Sequence, residues 1–296
     1  MKIKEDGYMK WFRLIAFIVI LFASAACLFP FLLIISASLT QNEAIIRDGY
    51  NLIPTVFSLE GYKTVFRFPE QVMKAYGVTA FVTVVGTGLG LFFMTMAGYV
   101  LQRRDFKYRN FFSFMIYFTT LFGGGLVPWY ILMTKYLNLT DTYRVLIFPG
   151  LMTPFLIILM KNFIRSAVPD EVVESAKMDG ANDFLIYYRI VLSLSMPGIA
   201  TVGLFLALQY WNDWFTSSLF INDTSMYQLQ YYLYNVINAM SFVMQMGAGT
   251  GVSLGEMPTE STKMAMAIIV TGPILFLYPF VQRYFVKGLT IGAVKG

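Results

Sequence analysis

Asp213 is the residue whose presence most needs a chemical reason. It sits in Gln209-Tyr210-Trp211-Asn212-Asp213-Trp214, within an apolar stretch at about 198–220. A carboxylate facing lipid costs on the order of 3 kcal/mol. On a continuous helix Gln209, Asn212, Asp213 and Thr216 share one face, with Tyr210 and Trp214 on the adjoining one. Amides, a carboxylate and aromatic rings are what a carbohydrate path needs, hydrogen-bonding hydroxyls and stacking on the apolar faces of sugar rings. The competing reading is that Asp213 pairs with a neighbouring subunit and holds a helix bundle together.

A second polar stretch, residues 166–197, carries charges of both signs between apolar runs. Pro169 can open a helix, which runs to about Met178. Gly180 ends it, Asn182 can cap a second one, and Pro197 begins the next apolar run. Two short helices with a glycine turn form an elbow. A chain that builds such an elbow between membrane spans presents it to a partner.

Other chemistries are excluded by what is missing. The chain has no histidine and one cysteine, Cys27. Histidine triads, histidine metal sites and internal disulfides are therefore out. No GxxxxGK[ST] loop occurs, so no phosphate-binding loop for ATP is present, and no metal ligand cluster or cofactor motif can be named. Gly86-Thr87-Gly88-Leu89-Gly90 lacks the preceding strand that a dinucleotide site requires. It reads instead as Gly86 and Gly90 admitting a close neighbouring helix.

The elements around these residues are set by composition. Of 296 residues 57% are hydrophobic and 13% charged, about half the charge of a soluble domain. The predicted class is all-α, polytopic, with six spans at about 14–35, 76–101, 111–133, 145–164, 198–220 and 263–284. The third is interrupted by Gly123-Gly124-Gly125 and Pro128. The first is a span rather than a cleaved leader, because its apolar run continues past Cys27 to Ile35. A short helix is expected near Leu59–Phe66. Residues 222–258, rich in Tyr, Asn and Gln, read as a long loop whose Tyr227, Tyr231, Tyr232 and Tyr234 suit contact with a protein or a sugar.

Lys and Arg set the orientation. Of the 22, 15 fall in 1–13, 103–110, 161–189 and 283–296. Both termini and the elbow are therefore expected in the cytoplasm. The net charge of +5 is spread over short loops. It implies topology and no nucleic-acid partner.

The motif Glu174-Ser175-Ala176-x-x-Asp179-Gly180-Ala181, followed by Ile190-x-Leu192 and Pro197, resembles the EAA loop of permease subunits of bacterial ABC importers. With the six spans and the Trp211-Asn212-Asp213 motif, the chain is similar to the second permease of oligosaccharide importers of the maltose type, in a branch serving complex oligosaccharides in Gram-positive bacteria. The resemblance implies a type I ABC importer permease fold. It gives a first segment at 1–75, a core at 76–286 and a tail at 287–296. It implies that Glu174, Ser175, Ala176, Asp179, Gly180 and Ala181 couple to an ATPase, and that ATP is hydrolysed by partners. The implied partners are a second homologous permease, two cytoplasmic ABC ATPase subunits, an extracellular substrate-binding protein reached by 222–258, membrane lipid and an oligosaccharide substrate. One position departs from the pattern: the family has Pro directly after Ile-x-Leu, and this chain has Ser193. The second short helix is therefore expected to run a turn further, with Pro197 as its break. A self-sufficient secondary transporter is the rival reading, and it leaves the elbow unexplained.

Overall fold

The computed structural model describes residues 7–67, 69–250 and 260–275. The end of the stretch 222–258, the later part of the span expected at 263–284 and the tail lie outside the described residues. The chain divides into two compact units, residues 1–69 with 236–272 and residues 70–235 with 273–296. Among the described residues β-type pairing is limited to one antiparallel bridge, Thr40–Phe57.

In the first unit, α1 (Gly7–Ser38) is apolar on all sides beyond Arg13. Trp11–Ser38 is long and apolar enough to cross a bilayer, and none of its most apolar stretch is buried within the chain. A helix uniformly hydrophobic around its circumference belongs in lipid or against other subunits. Two short helices follow, α2 (Asn42–Asp48) and α3 (Glu60–Val65), the latter where the sequence predicts one. Their loop is tied to the helical segment 260–275. The Glu260 amide donates to Asn42 Oδ1 at 2.9 Å, and the Tyr50 hydroxyl donates to Glu260 Oε2 at 2.8 Å. Lys263, then Tyr50, hold the Glu260 carboxyl below its usual range.

In the second unit, α4 (Pro69–Gln102) is a single 34-residue helix, about 51 Å long. The next three expected spans are not single straight helices. The third is α5 (Arg109–Leu121) and α6 (Leu126–Ile131, continued by a π-turn to Tyr136), bent by 110°. Three successive glycines at 123–125 cost about 1 kcal/mol each in a helix, and Gly125 takes φ +89°. The fourth is α7 (Tyr143–Ile147) and α8 (Pro154–Ala167), bent by 49°, with Pro154 opening α8 where its missing N–H is harmless.

The elbow follows as α9 (Asp170–Met178) and α10 (Asp183–Ile186), a π-turn through Val191, and α11 (Leu192–Leu194). An 80° bend then leads into α12 (Met196–Trp211). With Ser193 in place of Pro the helix does run on. It turns only at Ser195, and Pro197 takes the first turn of α12. The expected fifth span is therefore divided, into α12 and α13 (Phe215–Phe220).

Two helices are long and apolar enough to span alone, and up to five spans result if each bent pair counts as one. The expected six are not all present among the described residues, because the last is described only to 275.

The stretch 222–258 is not a loop throughout. α14 covers Leu229–Thr250. Leu229, Leu233, Val236, Ile237 and Met240 recur at helical spacing, and Leu229 and Leu233 are buried. Asn and Gln between them hid that period.

Candidate functional site

The elbow is built first by its turn. The Ala181 amide bonds the Ala176 carbonyl and the Gly180 amide the Lys177 carbonyl, both at 3.0 Å. These are the two bonds of a Schellman C-cap, with Gly180 as its left-handed residue at φ +83°. A Cβ on Gly180 would meet nothing within 4 Å. The backbone angle requires glycine at this position, since an L side chain there costs about 1–2 kcal/mol. Ala176 and Ala181 are half-buried and pack against the core, as the hydrophobic contact of this cap demands. Asn182 then caps α10, its Oδ1 accepting from the Leu185 amide at 2.8 Å.

The elbow is held down by charge. Arg103 pairs with Asp105 and, at 2.5 Å, with Asp183; Lys177 reaches Asp105 at 3.0 Å. Arg104 pairs with Asp170 at 2.9 Å. The hydrogen bond between Arg103 and Asp105 is the largest cause of both shifts: the Asp105 carboxyl is held far below the carboxylate range and the Arg103 guanidinium is raised. Exposed pairs contribute at most about 1 kcal/mol each, but four charges in one cluster fix orientation. Below, the Tyr187 hydroxyl meets Thr95 Oγ1 at 2.7 Å, and Thr95 in turn donates to the Leu91 carbonyl. Thus Asp170, Lys177 and Asp183 face inward contacts, while Glu174, Ser175 and Asp179 are left exposed. Beside them Met178, Phe184 and Tyr188 are 89%, 69% and 65% exposed.

The 209–214 group is rearranged relative to the helical-face expectation. α12 ends at Trp211, so Asp213 and Thr216 do not continue its faces. Asp213 Oδ1 instead accepts from the Thr216 amide at 3.0 Å, capping α13. The carboxylate is placed at a helix N-terminus, where the dipole favours negative charge. Tyr210 is 2% exposed, and its hydroxyl donates to the Ile147 carbonyl at 2.6 Å. Its ring fills a slot between Gly86 and Gly150, where an added Cβ would stand 2.6 Å from it. Gly90 likewise faces Leu206 of α12, as the glycine spacing predicts. Tyr210 and Trp211 are buried packing residues and do not line an open path; that expectation is corrected. Gln209, Asn212 and Trp214 are exposed.

Gln228, which the sequence reading passed over, locks this break. Wholly buried, it accepts from Ser217 at 2.8 Å and donates to the Tyr210 carbonyl at 3.2 Å. Its neighbour Gln230 donates to Asn212 Oδ1 at 3.2 Å. Trp214 stacks on Tyr234 with centroids 5.0 Å apart, and Tyr231 lies next to Tyr234. The aromatic pair and the Asn212 and Gln230 amides thus form one partly exposed surface. Asp141 closes the far side, accepting from the Asn222 and Asp223 amides at 2.5 and 3.1 Å, bonds that lower its pKa.

Asp213→Asn keeps a capping oxygen, so the permease level in the membrane should be unchanged. Uptake that falls several-fold would show that the charge matters to transport. Unchanged uptake would reduce Asp213 to a cap, and Asp213→Ala would then cost about 1 kcal/mol of stability only.

Residues 86–291 match the family of binding-protein-dependent transport system inner membrane components. The polygalacturonan/rhamnogalacturonan transport system permease protein of Bacillus subtilis is 40% identical over 271 residues, 91% of this chain and 93% of that one. The arabinooligosaccharides transport system permease protein of Halalkalibacterium halodurans is 28% identical over the full length of both. A solved structure of a bacterial ABC transporter involved in import of the acidic polysaccharide alginate superposes with TM-score 0.78 at 27% identity, covering 96% of this chain and all of that one. The chain belongs to the binding-protein-dependent transport system inner membrane component family. It is a permease subunit of an ABC importer and a multi-pass membrane protein, not a self-sufficient secondary transporter. Membership implies an ATPase and a substrate-binding protein as partners.

Proposed function

We propose that this permease imports an oligosaccharide, and that the elbow 166–197 couples it to the ATPase. The observation that carries the coupling role is the elbow's division of labour. Asp170, Lys177 and Asp183 are engaged with Arg103, Arg104 and Asp105, whereas Glu174, Ser175 and Asp179 form no ion pair among the described residues and, like the large apolar side chains beside them, are exposed. A rigidly seated, outwardly apolar elbow fits a docking helix that transmits force. The distribution of Lys and Arg supports a cytoplasmic elbow and cytoplasmic termini. The complete importer in this reading has a second homologous permease, two ATPase subunits and an extracellular binding protein that meets the 222–258 side. The core segment 76–286 supplies one wall of an alternating-access path.

The sugar assignment is supported by the surface of Asn212, Trp214, Gln230 and Tyr234. One similar protein is named for polygalacturonan and rhamnogalacturonan transport and another is described as importing the acidic polysaccharide alginate, so uronate oligosaccharides are the first substrates to try. The test is coexpression with the ATPase encoded in the same cells and purification in mild detergent. The ATPase should copurify, and uptake of labelled oligosaccharide should require ATP hydrolysis. Uptake that persists without an ATPase overturns the reading.

A further inference from the structure

A cavity of about 490 Å³ opens beside the elbow, where the end of α4, the start of α5 and the end of α8 meet. Arg104, Arg109, Lys161 and Arg165 line it against one carboxylate, Asp170. Asp170 is already paired with Arg104 at 2.9 Å. Arg109, Lys161 and Arg165 form no ion pair among the described residues. Lys161 donates to Ser113 Oγ at 2.8 Å and Arg109 Nη1 to the Arg103 carbonyl at 3.4 Å, both neutral acceptors. Three uncompensated cations around one cavity repel one another, and an anion seated among them relieves that repulsion.

We infer that this cavity binds a phosphate-bearing ligand, an anionic phospholipid headgroup or a free phosphate ester, independently of the sugar path. Guanidinium groups match phosphate oxygens with two parallel N–H donors, and the lining offers two unpaired guanidiniums and an ammonium. The position favours the lipid. Tyr108, Phe111 and Phe112 are exposed immediately beside Arg109, and α5 has no buried residue. A tyrosine such as Tyr108 marks the level of the headgroups, exposed Phe111 and Phe112 suit the adjoining acyl chains, and a basic cavity between membrane helices on the cytoplasmic side suits anionic lipid. The choice of leaflet rests on the proposed cytoplasmic placement of the elbow.

The test uses the complete transporter in mild detergent, titrated with phosphatidylglycerol or phosphatidylcholine and read by native mass spectrometry. The wild type should retain phosphatidylglycerol in preference to phosphatidylcholine. Each cation is worth about five-fold in binding, so Arg109→Gln with Arg165→Gln should weaken retention about 25-fold. Arg165→Gln alone should show a smaller loss. Lys107→Gln, a neighbouring cation outside the cavity lining, should change nothing. Competition by millimolar inorganic phosphate would assign the site to a free phosphate ester, and no competition would assign it to lipid. Equal retention of both lipids without any phosphate binding, or retention unaffected by the double variant, overturns the inference. So does retention seen only when the ATPase is stripped away, since the cavity would then be part of its docking surface. ATPase copurification is scored in the same preparations, so a missing site is told apart from a failed coupling role.

Discussion

Gly86→Leu should remove this permease from the membrane, while Gly88→Leu, two residues along the same helix, should leave its level unchanged. A Cβ at Gly86 would lie 2.6 Å from the Tyr210 ring, whereas one at Gly88 meets nothing within 4 Å. The ring cannot yield. Gly150 closes its other side, and the Tyr210 hydroxyl is committed to the Ile147 carbonyl. Overpacking of this kind costs about 1–3 kcal/mol when neighbours can shift, and more when they cannot. Helix association in lipid depends on such close approach, because lipid supplies no hydrophobic drive between helices. Immunoblotting of the membrane fraction should show at least a ten-fold fall for Gly86→Leu. Equal levels for the two variants would mean that α4 and α12 do not pack through this glycine.

Met178→Asp combined with Phe184→Asp should separate the permease from its ATPase without harming the permease. Met178 and Phe184 both project largely exposed from the elbow, so the isolated chain loses little packing. In a docked complex each large apolar side chain contributes about 1.5–3 kcal/mol when buried. Two carboxylates placed in that interface would cost more than they replace. Uptake should fall about 100-fold and ATPase copurification should vanish, with normal permease in the membrane. Retained ATPase and normal uptake would show that the elbow docks by another face. Below it, Arg103, Asp105, Lys177 and Asp183 keep the helices seated in both cases.

How much of this was legible depended on whether the signal was local. The elbow was, because Pro169, Gly180 and Asn182 each act on their own backbone or on residues within one turn. The break moved from the family's Pro position was legible for the same reason, since Ser193 does not stop a helix and Ser195 lies just before Pro197. The close approach at Gly86 and Gly90 was legible as a capacity, but its partner was not. The helix at 229–250 carried its period in Leu229, Leu233, Val236, Ile237 and Met240, and Tyr, Asn and Gln between them masked it. The 209–216 face failed because a single helix was assumed through Asn212–Trp214. Nothing in the residue order alone said that Gln228, eighteen positions after Tyr210, would bond the Tyr210 carbonyl exposed by that break.

The sequence by itself determined the solvent, the helical class, the elbow and its cap, because hydropathy, proline and glycine act through composition and local backbone preference. The tertiary structure decided the roles. It turned Tyr210 from a candidate path residue into the plug between Gly86 and Gly150. It made Asp213 the cap of α13, turned Asp170, Lys177 and Asp183 toward residues 103–105, and gathered Arg109, Lys161 and Arg165 around one cavity. The reason is physical: whether a side chain is exposed, capped or paired depends on groups tens of residues away, and only packing brings them within the few ångströms over which hydrogen bonds, ion pairs and steric contact act.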